Sequence, residues 1–399
     1  MLEIPFSGIK KIEEVAGSSP EYVSLSQGSI KVGGIPTVIK KHIQQLLDSD
    51  STDYYQSCWG IKPLREALTK YINTNYNPSV TIKQVLPTHG CIGGLSLLFL
   101  SLLEAGDEVL IPQPAYPAYD ILAQTARCKA VHISCLKSSE PLAWEINVQA
   151  IKQATTEKTK MLIFSNPWNP LGIVVAPHVI NELLSWCEER GIYMVIDEAY
   201  REYVFEGEFQ SGLTLINKSD MLISANSFSK NMAMSGWRAG YLVVSEKLSH
   251  ALAGMQDALL NCLNNVAQEA SLYAINHPEL SKPFHEIVKQ NRNRAIELLQ
   301  PLKDQGIIDF QAPSGGFFVL VKTLLDDASD LALDILYKAK VGVVPGSTFG
   351  ESAKSCLRIC FARNPEVLEE GMRRLIGYLE ATYALGIKQI KTNQFKELS

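Results

Sequence analysis

A lysine, two hydroxyls and an arginine lie close together in one segment of the chain. Ser227, Ser229 and Lys230 are neighbours, and Arg238 follows eight residues after the lysine. A lysine amine becomes a nucleophile, or the holder of a Schiff base, where its surroundings lower its pKa. Hydroxyls and an arginine can bind a phosphate. Together they suit an aldehyde that carries a phosphate, such as pyridoxal 5′-phosphate (PLP). The plainer alternative is a surface lysine in a serine-rich turn.

A carboxylate and a phenol follow the apolar run Tyr193–Ile196. Asp197 comes directly after this run, and Tyr200 lies three residues further on. In an open α/β sheet, ligands collect at the carboxyl ends of strands, where this acid would lie. Asp197 could hold a protonated pyridine nitrogen, and Tyr200 could hydrogen-bond the ring's phenolic oxygen. The alternative for Asp197 is the N-cap of a helix.

Two Asn-Pro pairs follow another apolar run, which ends at Phe164. Proline restricts its own backbone and that of the residue before it, so the segment Asn166–Gly172 is expected to form a rigid turn. A fixed asparagine amide, such as that of Asn169, can donate to an anionic ring oxygen. A turn of this kind is ordinary in itself, but its place after a strand favours a functional role.

The segment Pro87–Gly94 opens a helical pattern with glycines and small residues. Free backbone amides at a helix N-terminus bind phosphate, and small residues allow a close approach. Glycine-rich helix starts are common, so this pattern alone is a weak signal. It is neither a Walker loop nor a dinucleotide-binding fingerprint.

Arg358 is embedded in the apolar run Leu357–Phe361. A buried arginine is costly unless it meets an anion, and its guanidinium can bind a carboxylate through two parallel hydrogen bonds. We therefore consider it a candidate for binding a carboxylate substrate. The alternative is a buried salt bridge with an aspartate or glutamate.

The composition is that of a globular protein that stays in solution. The 399 residues are 46% hydrophobic and 20% charged, with a net charge of −5, which gives no support for nucleic-acid binding. The most apolar run, Leu95–Leu103, is interrupted by serines, so we expect no membrane span. The N-terminus lacks a signal-peptide pattern, and eight scattered cysteines show no metal-ligand spacing. We therefore expect a cytoplasmic protein with reduced thiols and no metal site.

Apolar runs alternate with helical patterns through the middle of the chain, which predicts a mostly parallel α/β sheet. The helices are expected over Gly93–Leu103 and His178–Arg190, the second capped by Gly191. Several runs are almost continuously apolar, as in strands that are covered on both faces. The predicted strands are Glu108–Ile111, Ala130–Ile133, Lys160–Phe164, Tyr193–Ile196, Met221–Ser224 and Tyr241–Val244.

The chain is too long for a typical single core, so two domains are expected. We predict an N-terminal arm with part of the small domain over residues 1–45, a large cofactor-binding domain over 46–282, and a small C-terminal domain over 283–399. Pro278 and Pro283 mark the second junction. The small domain is expected to be α+β, with a lysine-rich tail that is frayed after Gly386. Its predicted elements are helices over Glu286–Leu299 and Ser329–Ala339, strands over Val341–Val344 and Cys356–Phe361, and a terminal helix from about Glu366.

Taken together, these residues resemble the class I/II aminotransferases, the fold-type I PLP enzymes related to aspartate aminotransferase. The resemblance runs from Gly28 to Arg363 and includes the pattern S-x-S-K-x(7)-R-x-G. It implies a large, mostly parallel sheet flanked by helices, and a smaller α+β domain formed from both chain ends. The implied activity is ping-pong transfer of an α-amino group from an amino acid to a 2-oxo acid. The implied assembly is a homodimer with shared active sites.

The resemblance also implies a role for each motif. Lys230 matches the Schiff-base lysine and proton carrier, Asp197 the partner of the pyridine nitrogen, and Tyr200 a ligand of the ring oxygen; these three are the expected catalytic residues. The substrate's α-carboxylate would bind Arg358, with the Gly28 backbone and Asn169 assisting. The remaining cofactor ligands would include an aromatic stacked on the ring, phosphate-binding groups and a tyrosine that reaches the neighbouring subunit: Tyr116, Cys91, Ile92, Ser227, Ser229, Arg238, Asn169 and Tyr55.

Some positions depart from the family's pattern. Leu171 replaces a usual threonine, and Ser29-Ile30 stands where many relatives have an acid or proline. Ile92 lies where some bacterial aspartate aminotransferases have a lysine for the distal carboxylate, and the segment Asn261–Asn265 has no cation. An apolar pocket disfavours a dicarboxylate. We therefore expect a neutral, aromatic or aliphatic amino acid as substrate, although an arginine elsewhere could swing in.

Four alternatives to this function were weighed on the sequence. An aspartate-type aminotransferase and a PLP-dependent C–S β-lyase would use the same scaffold, because the outcome depends on pocket geometry. A PLP-binding transcription regulator would need a DNA-binding domain, and only 27 residues precede Gly28. A catalytically inactive relative would not need this set of five polar residues together: Lys230, Asp197, Asn169, Tyr200 and Arg358.

Overall fold

The computed structural model describes residues 7–76 and 79–385. The predicted frayed tail after Gly386 lies outside the described residues. The helices are α1 (Gly8–Ala16), α2 (Thr37–Leu46), α3 (Lys62–Asn75), α4 (Gly90–Leu102), α5 (Ala118–Thr125), α6 (Val148–Ala154), α7 (Pro177–Arg190), α8 (Glu246–Leu260), α9 (Asn265–Asn276), α10 (Lys282–Asp304), α11 (Ser329–Asp334) and α12 (Pro365–Ala384). The strands are β1 (Val23–Ser24), β2 (Val85–His89), β3 (Glu108–Gln113), β4 (Lys129–Ser134), β5 (Leu136–Ser139), β6 (Leu142–Trp144), β7 (Thr159–Ser165), β8 (Tyr193–Asp197), β9 (Leu222–Ser227), β10 (Ala239–Val243), β11 (Asp309–Phe310), β12 (Phe318–Lys322), β13 (Val341–Gly342), β14 (Val344–Pro345) and β15 (Cys356–Cys360).

The large sheet has the strand order β2-β10-β9-β8-β7-β3-β4. The strands from β9 to β4 pair in parallel, whereas β10 runs antiparallel to both of its neighbours. This arrangement confirms the predicted α/β class with a mostly parallel sheet. The register sets Ser165 opposite Asp197 and Asp197 opposite Ala225, so the carboxyl ends of β7, β8 and β9 meet at one edge.

Both faces of the large sheet are buried, which explains its continuous apolar strands. Along β8, Met194 and Ile196 belong to one hydrophobic core and Val195 to another, because successive side chains point to opposite faces. Helix α7 covers the first face and ends at Gly191, whose φ of +63° makes it the expected left-handed C-cap.

A smaller antiparallel sheet, in the order β11-β12-β15-β14, lies in the C-terminal part of the chain. Helices α10 and α12 contact each other beside it. Strand β1, near the N-terminus, pairs in parallel with β13, so both ends of the described chain contribute to this region. The proposed boundaries at residues 45 and 282 stay predictions. Pro283 lies in the first turn of α10 rather than in a linker.

Two expected elements differ from the structure. The segment Val341–Val344 is not one strand, because β13 pairs with β1 while β14 pairs with β15. The predicted helix over Ser329–Ala339 is α-helical only to Asp334 and continues as a π-helical turn over Ile335–Ala339. Within the described chain, no helix has the length and apolar character needed to span a bilayer.

Candidate active site

A cavity of about 560 Å³ lies at the carboxyl ends of β7, β8 and β9. Of the residues that the sequence predicted for a site, Tyr55 alone is not among those that line it. Those that do are Gly28, Cys91, Ile92, Tyr116, Asn169, Asp197, Tyr200, Ser227, Ser229, Lys230, Arg238 and Arg358. The chain therefore brings together residues that are up to 330 positions apart in sequence.

Asp197 is the last residue of β8, and the chain continues from it into a turn, so the helix N-cap alternative is wrong. Its carboxylate accepts hydrogen bonds from the Tyr119 hydroxyl at 2.9 Å, the Ala199 amide at 3.1 Å and the Cys91 thiol at 3.4 Å. Burial raises the pKa of Asp197, while these donors and the charge of Lys230 act in the opposite direction. A cation placed against this carboxylate would favour its charged form.

Tyr119 is a part of this site that the sequence did not predict. It is 1% exposed and lies in the first turn of α5, three residues after Tyr116, with the two rings edge to face at 5.7 Å. A buried phenol needs a hydrogen-bond partner, and here the partner is Asp197. The only signal in the sequence was the spacing of two tyrosines at helical distance.

Lys230 is half-buried and extends into the cavity, where its amine donates to the Gly28 carbonyl. Burial lowers the pKa of Lys230 to about 8; the nearby cations Arg238 and Arg358 act in the same direction, whereas Cys360 and Asp197 oppose them. A substantial fraction of the amine is therefore neutral near physiological pH, as attack on an aldehyde requires.

Gly28 lies against two aromatic side chains, where a larger residue would not fit. A Cβ at this position would lie 2.6 Å from the Phe318 ring and 3.0 Å from the Tyr200 hydroxyl. Tyr200 is 6% exposed and packs edge to face on Phe317 and Phe318. Burial raises the pKa of Tyr200 well above its usual value, so its hydroxyl stays protonated and can donate.

The start of α4 and Arg238 form a pocket for an anion. A Cβ at Gly90 would lie 2.6 Å from Nη2 of Arg238, and one at Gly240 would lie 2.5 Å from the Cys91 amide nitrogen. These glycines leave the guanidinium beside the helix N-terminus, where the helix dipole favours negative charge. Ser227 lies at the end of the neighbouring strand β9, and its hydroxyl accepts from the Ser229 amide at 3.1 Å.

Arg358 is 1% exposed and forms no ion pair with a carboxylate in residues 7–76 and 79–385. The buried salt-bridge alternative is therefore wrong. The guanidinium donates to the Ser26 carbonyl and, at 2.9 Å, to the Asn169 side-chain oxygen, and it lies 4.2 Å from the Phe318 ring centroid.

The Nε atom of Arg358 is buried without a hydrogen-bond partner among the described residues. Burial lowers the pKa of Arg358 to about 10. A buried cation that lines a cavity without a carboxylate partner is the arrangement expected for binding an anion such as a carboxylate.

Other residues that line the cavity could not be assigned from the sequence. They are the buried Leu95 and, from the start of α1, Ser7, Ile9 and Lys10. The three residues of the α1 segment lie far in sequence from every motif, and no local pattern marks them. Tyr55 is 83% exposed on the outer surface, so its role toward a neighbouring subunit stays a prediction.

Comparison with known proteins agrees with this geometry. The family model described as aminotransferase class I and II matches residues 20–375. An aspartate aminotransferase of Pyrococcus horikoshii is 29% identical over 382 residues, which cover 95% of this chain and 96% of that protein. A (5-formylfuran-3-yl)methyl phosphate transaminase of Methanocaldococcus jannaschii is 28% identical and covers 82% of this chain, with 83% of its own length matched.

Comparison with solved structures also finds aminotransferases. The crystal structure of an aspartate aminotransferase from Thermotoga maritima superposes with a TM-score of 0.86 at 27% identity, covering 94% of this chain and 98% of that one. The fold and the cavity define a protein of the PLP-dependent fold type I. The chain belongs to the class I and II aminotransferases, and it is an enzyme of that PLP-dependent family.

Proposed function

We propose that this cavity catalyses ping-pong transamination between an amino acid and a 2-oxo acid, with a neutral, aromatic or aliphatic amino acid preferred over a dicarboxylate. The observation that carries the proposal is Arg358, a buried cation that lines the cavity and has no ion-pair partner among the described residues. Every substrate of such a reaction carries an α-carboxylate, and an arginine binds this group through two parallel hydrogen bonds.

The residues of the cavity fit PLP. Asp197 would hold the pyridine nitrogen, and Asn169 with Tyr200 the ring oxygen. Arg238, whose guanidinium lies against Gly90 at the start of α4, would bind the phosphate; Ser227, Ser229 and the amides of Cys91 and Ile92 would complete this set, and Tyr116 would stack on the ring. Bound PLP supplies an aldehyde for the lysine and the substrate amine, and an electron-withdrawing ring.

The reaction itself would depend on few side chains of this chain. Arg358 would bind the α-carboxylate and fix the substrate's orientation, with Asn169 and the Gly28 backbone beside it. Lys230, whose pKa is about 8, would take the proton from the substrate's α-carbon and later return it, as general base and then general acid. Asp197 would stay ionised against a protonated ring nitrogen.

The preference for a neutral side chain rests on the apolar part of the cavity wall. Ile9, Ile92 and Leu95 line it, and Tyr116 adds an aromatic surface. Burial of apolar area contributes about 25 cal/mol per Å², so a leucine- or phenylalanine-sized side chain would gain about 2 kcal/mol on this wall. A carboxylate placed there without a counter-charge would lose its hydration.

We also propose a cytoplasmic homodimer in which Tyr55 reaches the partner's phosphate. Tyr54 and Tyr55 are 69% and 83% exposed, which is unusual for adjacent aromatic side chains unless another surface covers them. Sedimentation at micromolar concentration would test the assembly. A monomer with full activity would contradict it.

A half-reaction screen tests the proposed function. Each amino acid is added to the PLP-loaded enzyme while the absorbance of the bound cofactor is followed, and the 2-oxo acid is quantified. We expect responses from leucine-, methionine- or phenylalanine-like donors and no turnover in the Lys230→Ala variant. Release of pyruvate and ammonia without any acceptor would instead indicate a β-lyase. A response confined to aspartate and glutamate would contradict the preference for neutral substrates.

A further inference from the structure

Tyr203 is a buried tyrosine whose hydroxyl contacts the backbone of the candidate catalytic lysine. It follows the turn after β8, is 1% exposed, and is not among the residues that line the cavity. Its hydroxyl donates to the Lys230 carbonyl at 2.9 Å. Burial raises the pKa of Tyr203 well above its usual value, so the hydroxyl stays protonated and remains a donor at neutral pH.

The chain that follows Lys230 has little support from other backbone groups. In the part of the chain that the structure describes, residues 230–233 form no hydrogen bond with another backbone group. Ala233 has a φ of +53°, a left-handed conformation that is unfavourable for a residue with a Cβ and persists only where the surroundings hold it. The Tyr203 hydroxyl therefore supplies a hydrogen bond that the peptide of the lysine lacks on its own.

The ring of Tyr203 packs beside the residues that surround Arg358. It lies edge to face on Phe317, with the ring centroids 4.5 Å apart. Phe318, the next residue in the chain and the first of β12, has its ring centroid 4.2 Å from the Arg358 guanidinium carbon. One side chain therefore connects the backbone of Lys230 with the strand that borders the arginine.

Packing alone does not explain a tyrosine at this position. A phenylalanine would make the same ring contacts and would avoid the cost of burying a hydroxyl. Over residues 7–76 and 79–385, the Tyr203 hydroxyl has no hydrogen-bond partner besides the Lys230 carbonyl. The function of the hydroxyl is therefore to be sought at this lysine.

We propose that Tyr203 is a positioning residue, whose hydroxyl fixes the Lys230 peptide and thereby the direction in which the lysine side chain enters the cavity. This inference rests on the role of Lys230 in the proposed transamination. The lysine amine must meet first the cofactor's aldehyde and then the substrate's α-carbon, and a lysine with a loosely held backbone would reach both positions less often. Tyr203 touches neither the cofactor nor the substrate and acts only through Lys230.

The test compares two tyrosines that are both 1% exposed. Tyr203→Phe removes the hydroxyl bonded to Lys230, and the matched control Tyr241→Phe removes a hydroxyl that accepts from Arg201 at 2.7 Å. PLP is added to each apoenzyme, and its covalent attachment to Lys230 is followed by absorbance. We expect Tyr203→Phe to slow attachment about fivefold, the kinetic equivalent of one neutral hydrogen bond, and Tyr241→Phe to leave the rate unchanged. Urea denaturation should show a loss of stability in both variants.

A second background separates positioning of the lysine from general support of the cavity. In Lys230→Ala, PLP can bind only without covalent attachment at this position. Adding Tyr203→Phe to Lys230→Ala should leave the dissociation constant of PLP unchanged, because the lysine side chain that transmits the effect is absent.

Three results would overturn the positioning role. They are equal rates of PLP attachment in wild type and Tyr203→Phe, the same slowing in Tyr241→Phe, or weaker PLP binding when Tyr203→Phe is added to Lys230→Ala. Slower attachment in Tyr203→Phe of an enzyme that does not transaminate would contradict the reaction and leave the positioning role intact. Normal transamination with attachment independent of Tyr203 would contradict the positioning role alone. Attachment of PLP to a different lysine in the wild-type enzyme would contradict both.

Discussion

Arg358 and Arg363 are both 1% exposed and lie five residues apart, yet the regions around them differ. Arg363 donates to three backbone carbonyls in the segment 24–29 and to that of Ala362, at distances of 2.7 to 3.1 Å. Arg358, which lines the cavity, retains a buried Nε without a partner among the described residues. Neither forms an ion pair with a described carboxylate.

The difference shows that burial does not tell these two arginines apart, whereas their hydrogen bonds do. Buried polar groups are almost always paired, so an unused buried donor calls for an explanation. Arg363 fastens the segment 24–29, which includes Gly28, to the small sheet's side of the molecule. Arg358 also contacts that segment, because it donates to the Ser26 carbonyl.

The largest expected effect on stability comes from replacing Arg363, whose guanidinium nitrogens all donate hydrogen bonds. Replacing Arg363→Met would remove four hydrogen bonds to backbone carbonyls, two of them buried and two part-buried, and we expect the free energy of unfolding to fall by about 3–5 kcal/mol. Urea denaturation measures this change. Arg373→Met is the control, because Arg373 is an exposed partner of Glu370 and should contribute less than about 1 kcal/mol. Equal stability of the two variants would contradict the structural role of Arg363.

Replacing Arg358, whose Nε has no hydrogen-bond partner among the described residues, should have the opposite effect: a loss of activity without a loss of stability. We expect Arg358→Met to lower kcat/KM for amino acids by roughly a hundredfold, about 3 kcal/mol, because the α-carboxylate loses its charged partner. The free energy of unfolding should stay the same or rise, since a poorly paired buried cation is removed. Steady-state kinetics and urea denaturation of the same preparation give both values. A loss of stability comparable with that of Arg363→Met would remove the contrast between the two regions.

Glu13 provides a smaller test of how the segment 24–29 is held. Burial alone would raise the pKa of Glu13, but the hydroxyls of Ser24 and Ser26 and the charges of Lys31 and Arg363 outweigh it, so the pKa lies below its ordinary value of 4.5. The folded state therefore binds fewer protons than the unfolded state, and the carboxylate stabilises the fold above this pH.

We expect Glu13→Gln to cost about 1–2 kcal/mol at neutral pH. The difference from wild type should shrink as the pH falls from 4.5 through the lowered pKa of Glu13, because the native carboxylate then becomes protonated. Thermal denaturation of both proteins at several pH values in this range measures the difference in stability. Glu14→Gln, at the exposed neighbouring position, is the control. A difference that is independent of pH would contradict a charged Glu13.

The large sheet could be predicted because its strands are nearly continuous apolar runs, and all six predicted runs overlap observed strands. The direction of β10 could not be predicted, because a buried antiparallel strand has the same composition as a parallel one. The hairpin of β5 and β6 was not predicted for a different reason. Its strand Leu136–Ser139 is mostly exposed and has no apolar pattern. The division of Val341–Val344 between two sheets depends on tertiary pairing.

The candidate site was predictable where function places distinctive residues in a motif, as at Asp197 and Lys230. Residues without a motif were missed. Tyr119 and Lys10 reach the cavity only through the packing of α5 and α1, and an isolated tyrosine or lysine carries no information about that packing. The alternatives for Asp197 and Arg358 were settled by geometry: a turn follows the first, and no carboxylate of the described chain pairs with the second.

The central claim is that Lys230 is the amine that carries the cofactor's aldehyde in this cavity. The PLP-loaded enzyme is reduced with borohydride, digested, and mapped by mass spectrometry. We expect the reduced cofactor to be attached to the peptide containing Lys230, and the rate of PLP incorporation into apoenzyme to rise as the pH approaches about 8, where the amine becomes neutral. Attachment to another lysine, such as Lys10, or full activity of Lys230→Ala would contradict it.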